Sequence, residues 1–286
     1  LAAAGDGTAV PHPERVRREE AGDNVIVRGD NYAVTFSRAL ARIESVEVAG
    51  KAALARPSNV VAIPAAGGRW EPDSPAAGAS FKLTSSPVEA TVEVERPIGP
   101  VGEGLTVREK WVLQARRISV VASCRNATKT PIAFNYIGYR IGIDPVLLAD
   151  WRMATGDGRT QTGQLPAGFP ETTGAPAAGS PWDRDYVVLL NRMKGDQVTM
   201  ADWLDAAGNG LAMTLGRCVP FSLTGPLATI RHNSERTEIS ITNNFSIDPV
   251  PLAPVFAEFE LWPHGKGELV TQRPVVAVYS TNAPGQ

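Results

Sequence analysis

Leu105–Asp144 reads LTVREKWVLQARRISVVASCRNATKTPIAFNYIGYRIGID, and this stretch decides the fold. It divides into three consecutive β-strands rich in Val and Ile, with a turn at Asn126–Pro131. Strands that follow one another through short turns pair antiparallel. The expectation is an all-β protein with large antiparallel sheets.

Similar patterns extend outward on both sides. Val25–Val27, Tyr32–Phe36 and the alternating Ile43–Val48 form an opening set, with turns at Asp30–Asn31 and Ala49–Lys51. Phe81–Thr84 and Ala90–Arg96 precede the central stretch. Tyr186–Asn191, Gly210–Leu215, Ala228–His232, Thr237–Thr242, Val255–Trp262 and Val275–Ser280 follow it. One short helix is predicted near Val198–Asp205, and helical periodicity is otherwise scarce. So many strands favour two large sheets packed face to face.

Two segments break the pattern. Residues 55–80, rich in Pro, Gly and Ala, read as a long loop carrying Arg69, Trp70 and Glu71. Residues 154–183 contain six Gly and four Pro, too many for an element interior. Loops of that length inside a compact domain are commonly functional. The expected organisation is a polar lead over residues 1–23, then a single β-domain over 24–286.

Composition narrows the functions. Twenty-eight basic and 30 acidic residues leave a net charge of −2, which gives no electrostatic footprint for nucleic acid or an anionic membrane. No apolar run has the length needed to insert into a bilayer. Leu1–Gly5 followed by a polar stretch resembles the mature side of a processed signal peptide, which predicts a secreted or periplasmic protein; truncation would look the same. Cys124 and Cys218 both fall in strand-like segments, where buried free thiols are the ordinary state; a disulfide stays open.

No phosphate loop, nucleophile signature or metal motif occurs, so no cofactor and no metal are expected. The three histidines are scattered. His12 lies in the polar lead and His264 follows Trp262–Pro263 at a strand end. His232 ends a strand before a Ser-Glu turn and is the preferred proton-transfer candidate, although an exposed turn histidine would look the same.

Strand alternation selects faces. In Phe134–Ile143, residues Ile137, Tyr139, Ile141 and Ile143 share a core face, whereas Phe134, Tyr136 and Arg140 share the other. Aromatic and cationic groups together suit a sugar surface, and they equally suit an ordinary outer face with an extended Arg. In Val255–Trp262, residues Phe256, Glu258, Glu260 and Trp262 share one side. Carboxylates at i and i+2 lie within ~7 Å, and their repulsion would hold a proton on one of them, as a general acid requires. A solvated strand, or an ion pair with Arg140, accounts for them as well. Trp111 reads as core; Trp70, Trp151 and Trp182 lie beside the Gly/Pro-rich segments and either pack there or line a site.

The strand order resembles a known family. The opening Asn31-Tyr32-x-Val34-x-Phe36, followed by Ile43-x-Ser45-Val46-x-Val48-x-Gly50-Lys51, is similar to the start of the galactose mutarotase-like supersandwich. Leu105–Asn126 resembles that fold's central pair, and Phe256–Pro263 its penultimate strand. The resemblance implies carbohydrate as the ligand, bound on one sheet face. Aldose epimerases carry a histidine in an Asn-His-x-Tyr-Phe segment; here Asn135-Tyr136-Ile137-Gly138-Tyr139 has none, which counts against epimerase activity.

The combined expectation is an exported carbohydrate-active protein. Glu258, Glu260 and His232 would transfer protons in hydrolysis, lyase elimination or epimerisation. Tyr136, Arg140, Arg69, Trp70, Trp182 and Trp262 would bind the sugar. The alternatives are a non-catalytic carbohydrate-binding protein and a structural or assembly β-sandwich.

Overall fold

In the computed structural model, the described residues are 15–71, 78–100, 104–126, 128–144, 147–155, 160–164, 187–190, 198–215, 227–232, 237–242, 246–247 and 255–267. For part of these strands, including 135–138 and 140, the backbone alone is described. Among the described residues every regular element is a strand.

The first sheet has five strands in chain order: β1 (Arg17–Ala21), β2 (Asn24–Arg28), β3 (Tyr32–Ser37), β4 (Arg42–Val48) and β5 (Lys51–Ala52). Next come β6 (Leu54–Pro64), β7 (Ser80–Ser85), β8 (Glu89–Ile98), β9 (Leu105–Gln114), β10 (Arg117–Asn126) and β11 (Ile132–Ile143). The chain continues with β12 (Asp150–Thr155), β13 (Thr160–Gln164), β14 (Val187–Leu190), β15 (Val198–Leu204) and β16 (Gly210–Leu215). It closes with β17 (Leu227–His232), β18 (Thr237–Thr242), β19 (Ser246–Ile247) and β20 (Val255–His264). A large sheet of nine strands runs β13-β12-β15-β16-β20-β10-β9-β8-β7. A third sheet of six runs β14-β17-β18-β11-β19 and β6 joins it by pairing with β11; every pairing is antiparallel.

The large sheet supplies the common surface. Burial alternates residue by residue along β8, β9 and β10, so each strand has one apolar face turned inward. The first sheet covers part of that inner face. Phe36 meets Phe81 and Trp111 edge-on, with ring centroids 6.3 and 5.9 Å away. The third sheet covers another part, where Tyr139 packs on Trp111 at 5.7 Å and on Phe259 at 5.2 Å. Each of these large rings contributes about 2–3 kcal/mol when buried. Cys124 is free and buried in this core, and burial pushes its thiol up to about 12; Cys218 lies outside the described residues.

A charged group is embedded among the rings. Arg96 on β8 and Glu109 on β9 both point inward and form a fully buried ion pair. Glu109 also accepts from Trp111 Nε1 at 3.2 Å and from the Tyr139 hydroxyl at 2.9 Å. Arg96 donates in addition to the carbonyl of Ala41, in the turn between β3 and β4. Residues of all three sheets thus meet at one buried ion pair, the first through Ala41 on Arg96 and the third through Tyr139 on Glu109.

Several local expectations change. Residues 54–64 form β6, one of the partners of β11, although the sequence reads as loop from 55. Pro57 and Pro64 argue against a strand from propensity alone, and the long pairing with β11 overrides them. The segment predicted as helix, Val198–Asp205, is instead β15, held on both sides by β12 and β16. Regular structure also starts before Asn24, since β1 pairs with β2. The turn after β10 is an Asx turn: the Asn126 side chain accepts from Thr128 N at 2.8 Å and donates to Thr130 O at 2.7 Å.

Candidate functional site

The outer face of the large sheet is polar, and the registers show which side chains form rows across it. Val112, Ser119, Glu260 and Thr214 are consecutive partners on β9, β10, β20 and β16. One step along lie Trp262, Ala212, Asp202 and Arg152. The next row holds His264, Gly210, Leu204 and Asp150. In the opposite direction a row runs Glu258, Val121, Lys110, Glu93, Lys82. Alternation on β20 therefore brings Glu258, Glu260, Trp262 and His264 onto one face.

Glu260 is held in a polar cluster. Arg117 Nη1 donates to Glu260 Oε1 at 3.3 Å, and Ser119 Oγ lies 3.4 Å from the same oxygen. The Arg117 fork also grips Gln114 Oε1, at 3.2 Å from Nε and 2.8 Å from Nη2. The guanidinium sits over Trp262, 5.8 Å from the ring centroid, and Trp262 Nε1 donates to Thr214 Oγ1 at 3.2 Å. The ion pair foreseen between the β20 acids and Arg140 is thus made by Arg117. Glu258, half-buried, has no hydrogen-bond or ion-pair partner among the described residues. The two carboxylates share a face and differ in commitment: Glu260 is tied to Arg117, and Glu258 has no such tie among the described residues.

His264 sits in a second cluster. Its Nε2 bonds Asp202 Oδ1 at 2.8 Å, and Arg152 Nη2 donates to Asp202 Oδ2 at 2.7 Å. Asp202 is completely buried between these two groups. The other ring nitrogen, Nδ1, faces the Gly265 carbonyl at 3.2 Å. Burial pulls the imidazole pKa down, but the Asp202 hydrogen bond and charge, with the Gly265 carbonyl, more than offset this and raise it above 6.5. With both ring nitrogens facing acceptors, His264 has none left for a substrate. Gly210 makes the arrangement possible. A Cβ there would come within 2.7 Å of His264 Nε2 and 2.6 Å of Trp203 O.

The remaining candidates separate. Arg69 is engaged by Glu71, with Nε 3.0 Å from Oε1 and Nη2 3.1 Å from Oε2. Trp70 packs edge-on to Phe134 at 5.6 Å, over Gly99, where a Cβ would meet the indole at 2.6 Å. Trp151 is buried on β12 beside Trp203. Tyr136 and Arg140 are on β11 in the third sheet, opposite Ile63 and Asn59 of β6, so β20 does not share their sheet; their side chains lie outside the described residues. The same is true of the His232 side chain at the end of β17, and Trp182 lies outside the described residues altogether. The partners that the sequence did not single out are Arg117, Asp202 and Arg152. Their one visible signal was polar character at positions that alternate with core residues.

The comparisons bear on this geometry through the fold. No known family matches the chain by sequence, and no curated protein does so. Among solved structures, the GH36 alpha-galactosidase AgaB from Geobacillus stearothermophilus aligns with a TM-score of 0.54 at 11% identity, over 87% of this chain and 41% of that one. The present chain therefore spans less than half the length of that enzyme. A putative aldose 1-epimerase from Klebsiella pneumoniae aligns at 0.51 and 13% identity, covering 87% of this chain and 83% of its own. The chain thus shares the fold of these structures, a large antiparallel β-supersandwich. A Synechocystis protein, Slr1438, shares the supersandwich at 0.51 and 8% identity, with 90% and 97% covered.

Proposed function

We propose that the outer face of the large sheet binds a saccharide and that Glu258 transfers a proton there. One observation supports this above the others: the unpartnered Glu258 carboxylate shares a strand face with Trp262, whose ring is stacked by Arg117. An aromatic ring offers a surface to the C–H face of a sugar, and an oriented guanidinium donates to hydroxyls. A carboxylate with no competing partner can exchange a proton with a ring or glycosidic oxygen. Two of the three structures named above, an alpha-galactosidase and a putative aldose 1-epimerase, are enzymes of carbohydrate chemistry by their descriptions, which makes a sugar the natural ligand class to test.

A second reading is a non-catalytic carbohydrate-binding protein. The ion pair on Glu260 favours it, because acid–base exchange at a sugar uses two groups and only one β20 carboxylate is uncommitted. A glycan array followed by product analysis separates the two. Under the catalytic reading a bound glycan is converted, and Glu258→Gln slows conversion by roughly 10²–10⁴-fold with retention kept. Retention without conversion in the parent protein establishes the binder. Absence of retention on any glycan refutes both.

A further inference from the structure

Beside Glu258 the outer face of β7–β10 sinks into a depression of about 370 Å³. Lys82, Arg108, Lys110 and Ser123 line it, together with Glu93, Glu95 and Glu109, the last already paired with Arg96. Two of the cations are neutralised: Arg108 Nε lies 2.7 Å from Glu95 Oε2, and Lys82 Nζ lies 3.7 Å from Glu93 Oε2. Lys110 and the Ser123 hydroxyl have no partner among the described residues. On β10, Arg125 follows Ser123 on the same face, next to the lining residues rather than among them. Its guanidinium has no acceptor among the described residues, and its Nε is buried without one. The site therefore has an excess of donors and positive charge, in a chain whose net charge is −2.

We infer that this depression receives the anionic group of an acidic saccharide, held by Lys110, Arg125 and the Ser123 hydroxyl. The inference rests on the saccharide reading of the same face and specifies its substrate class. Val121 lines the depression and is the register partner of both Lys110 and Glu258. Lys110 and Glu258 are thus two strands apart, roughly 10 Å. A sugar unit with its acid group at Lys110 places its neighbour toward Glu258. A neutral sugar would leave the two unpaired cations uncompensated; a carboxylate or sulfate ester supplies the missing charge-assisted acceptors.

Titration calorimetry on the full chain tests this with four probes: a hexagalacturonate, the same hexamer with its carboxyls reduced, a sulfated neutral hexamer, and a hexaglutamate peptide. The expected result is that one or both acidic sugars bind about tenfold more tightly than the reduced hexamer. The stronger of the two identifies carboxylate or sulfate. Lys110→Gln/Arg125→Gln should abolish the preference and leave binding of the reduced hexamer unchanged, with the circular dichroism spectrum of the parent. Equal affinity for acidic and reduced sugars, or a preference that survives the double change, overturns the acidic assignment while leaving the saccharide reading standing. Tighter binding of the peptide than of either acidic sugar overturns it in favour of an acidic protein partner. No binding of any sugar to the parent overturns both readings together.

Discussion

Glu109→Gln gives the sharpest test of how this fold is held together. The carboxylate is 2% exposed and accepts from three donors: Arg96, Trp111 Nε1 at 3.2 Å and the Tyr139 hydroxyl at 2.9 Å. Gln keeps the shape but has a single acceptor oxygen, and it turns an NH₂ toward at least one donor. More importantly, the Arg96 cation, with no solvent exposure, loses its counter-charge. Breaking a buried pair from one side costs about 3–5 kcal/mol. That is a large share of the roughly 5–15 kcal/mol that typically separates folded from unfolded chains. In urea, with a slope of roughly 3 kcal/mol/M, the midpoint should fall by about 1–2 M. Arg96→Met should be comparably damaging, and the double variant should cost about 2 kcal/mol less than the two single losses added, because it strands no charge. A loss below about 1 kcal/mol for Glu109→Gln, or strict additivity in the double variant, would refute the reasoning.

The other expectations concern the outer face and the two ionic clusters. Gly210→Ala should displace the His264 ring and cost about 1–3 kcal/mol in a denaturation midpoint, since the added Cβ would lie 2.7 Å from Nε2. His264 titrates above 6.5 in the folded chain, so its contribution is complete below that pH and is lost as pH rises through the raised value. Asp202→Asn should remove that alkaline decline, as followed by thermal melts across pH. Asp205 behaves oppositely: burial alone would raise its pKa, but hydrogen bonds from Asn209 and the Lys51 ammonium bring it down to about 2. Its stabilising effect is present above 3.8 and falls away as pH drops toward 2, and Asn209→Ala should move that acid loss to higher pH. Trp262→Ala should weaken retention of whichever glycan binds by ~1–3 kcal/mol, measured by calorimetry, and unchanged retention would remove the indole from the site.

The strands that declare themselves in sequence are those with one wet and one dry face. β9, β10 and β20 alternate cleanly, and their faces follow from counting by two. β6 and β15 do not declare themselves, because pairing decides their conformation, with β11 for β6 and with β12 and β16 for β15, and no local signal reports such neighbours. The same division holds at the site. Glu258, Glu260 and Trp262 could be placed on one face from their spacing, whereas Arg117 as the partner of Glu260 depends on the register of β10 against β20. His264 was legible as a strand-end residue, but its tie to Asp202 joins positions 62 residues apart. One further signal was present. In β8 and β9, Arg96 and Glu109 are lone charges in otherwise apolar rows, and two such intrusions on adjacent strands predict each other.

The Arg96 bond to the Ala41 carbonyl has a dynamic consequence. Ala41 sits at φ 47° in the tight turn after β3, a conformation that a non-glycine side chain disfavours. Turns of this kind commonly fray on their own, exchanging their amide protons far faster than the domain unfolds. Here the turn is fastened to a charge rooted in a different sheet, so opening it leaves a buried guanidinium short of an acceptor. The first sheet is thereby enrolled in the same cooperative unit as the large sheet. Amide protons of residues 38–43 should exchange at the slow rate of the central strands, and Arg96→Met should release that small hairpin into fast, independent breathing.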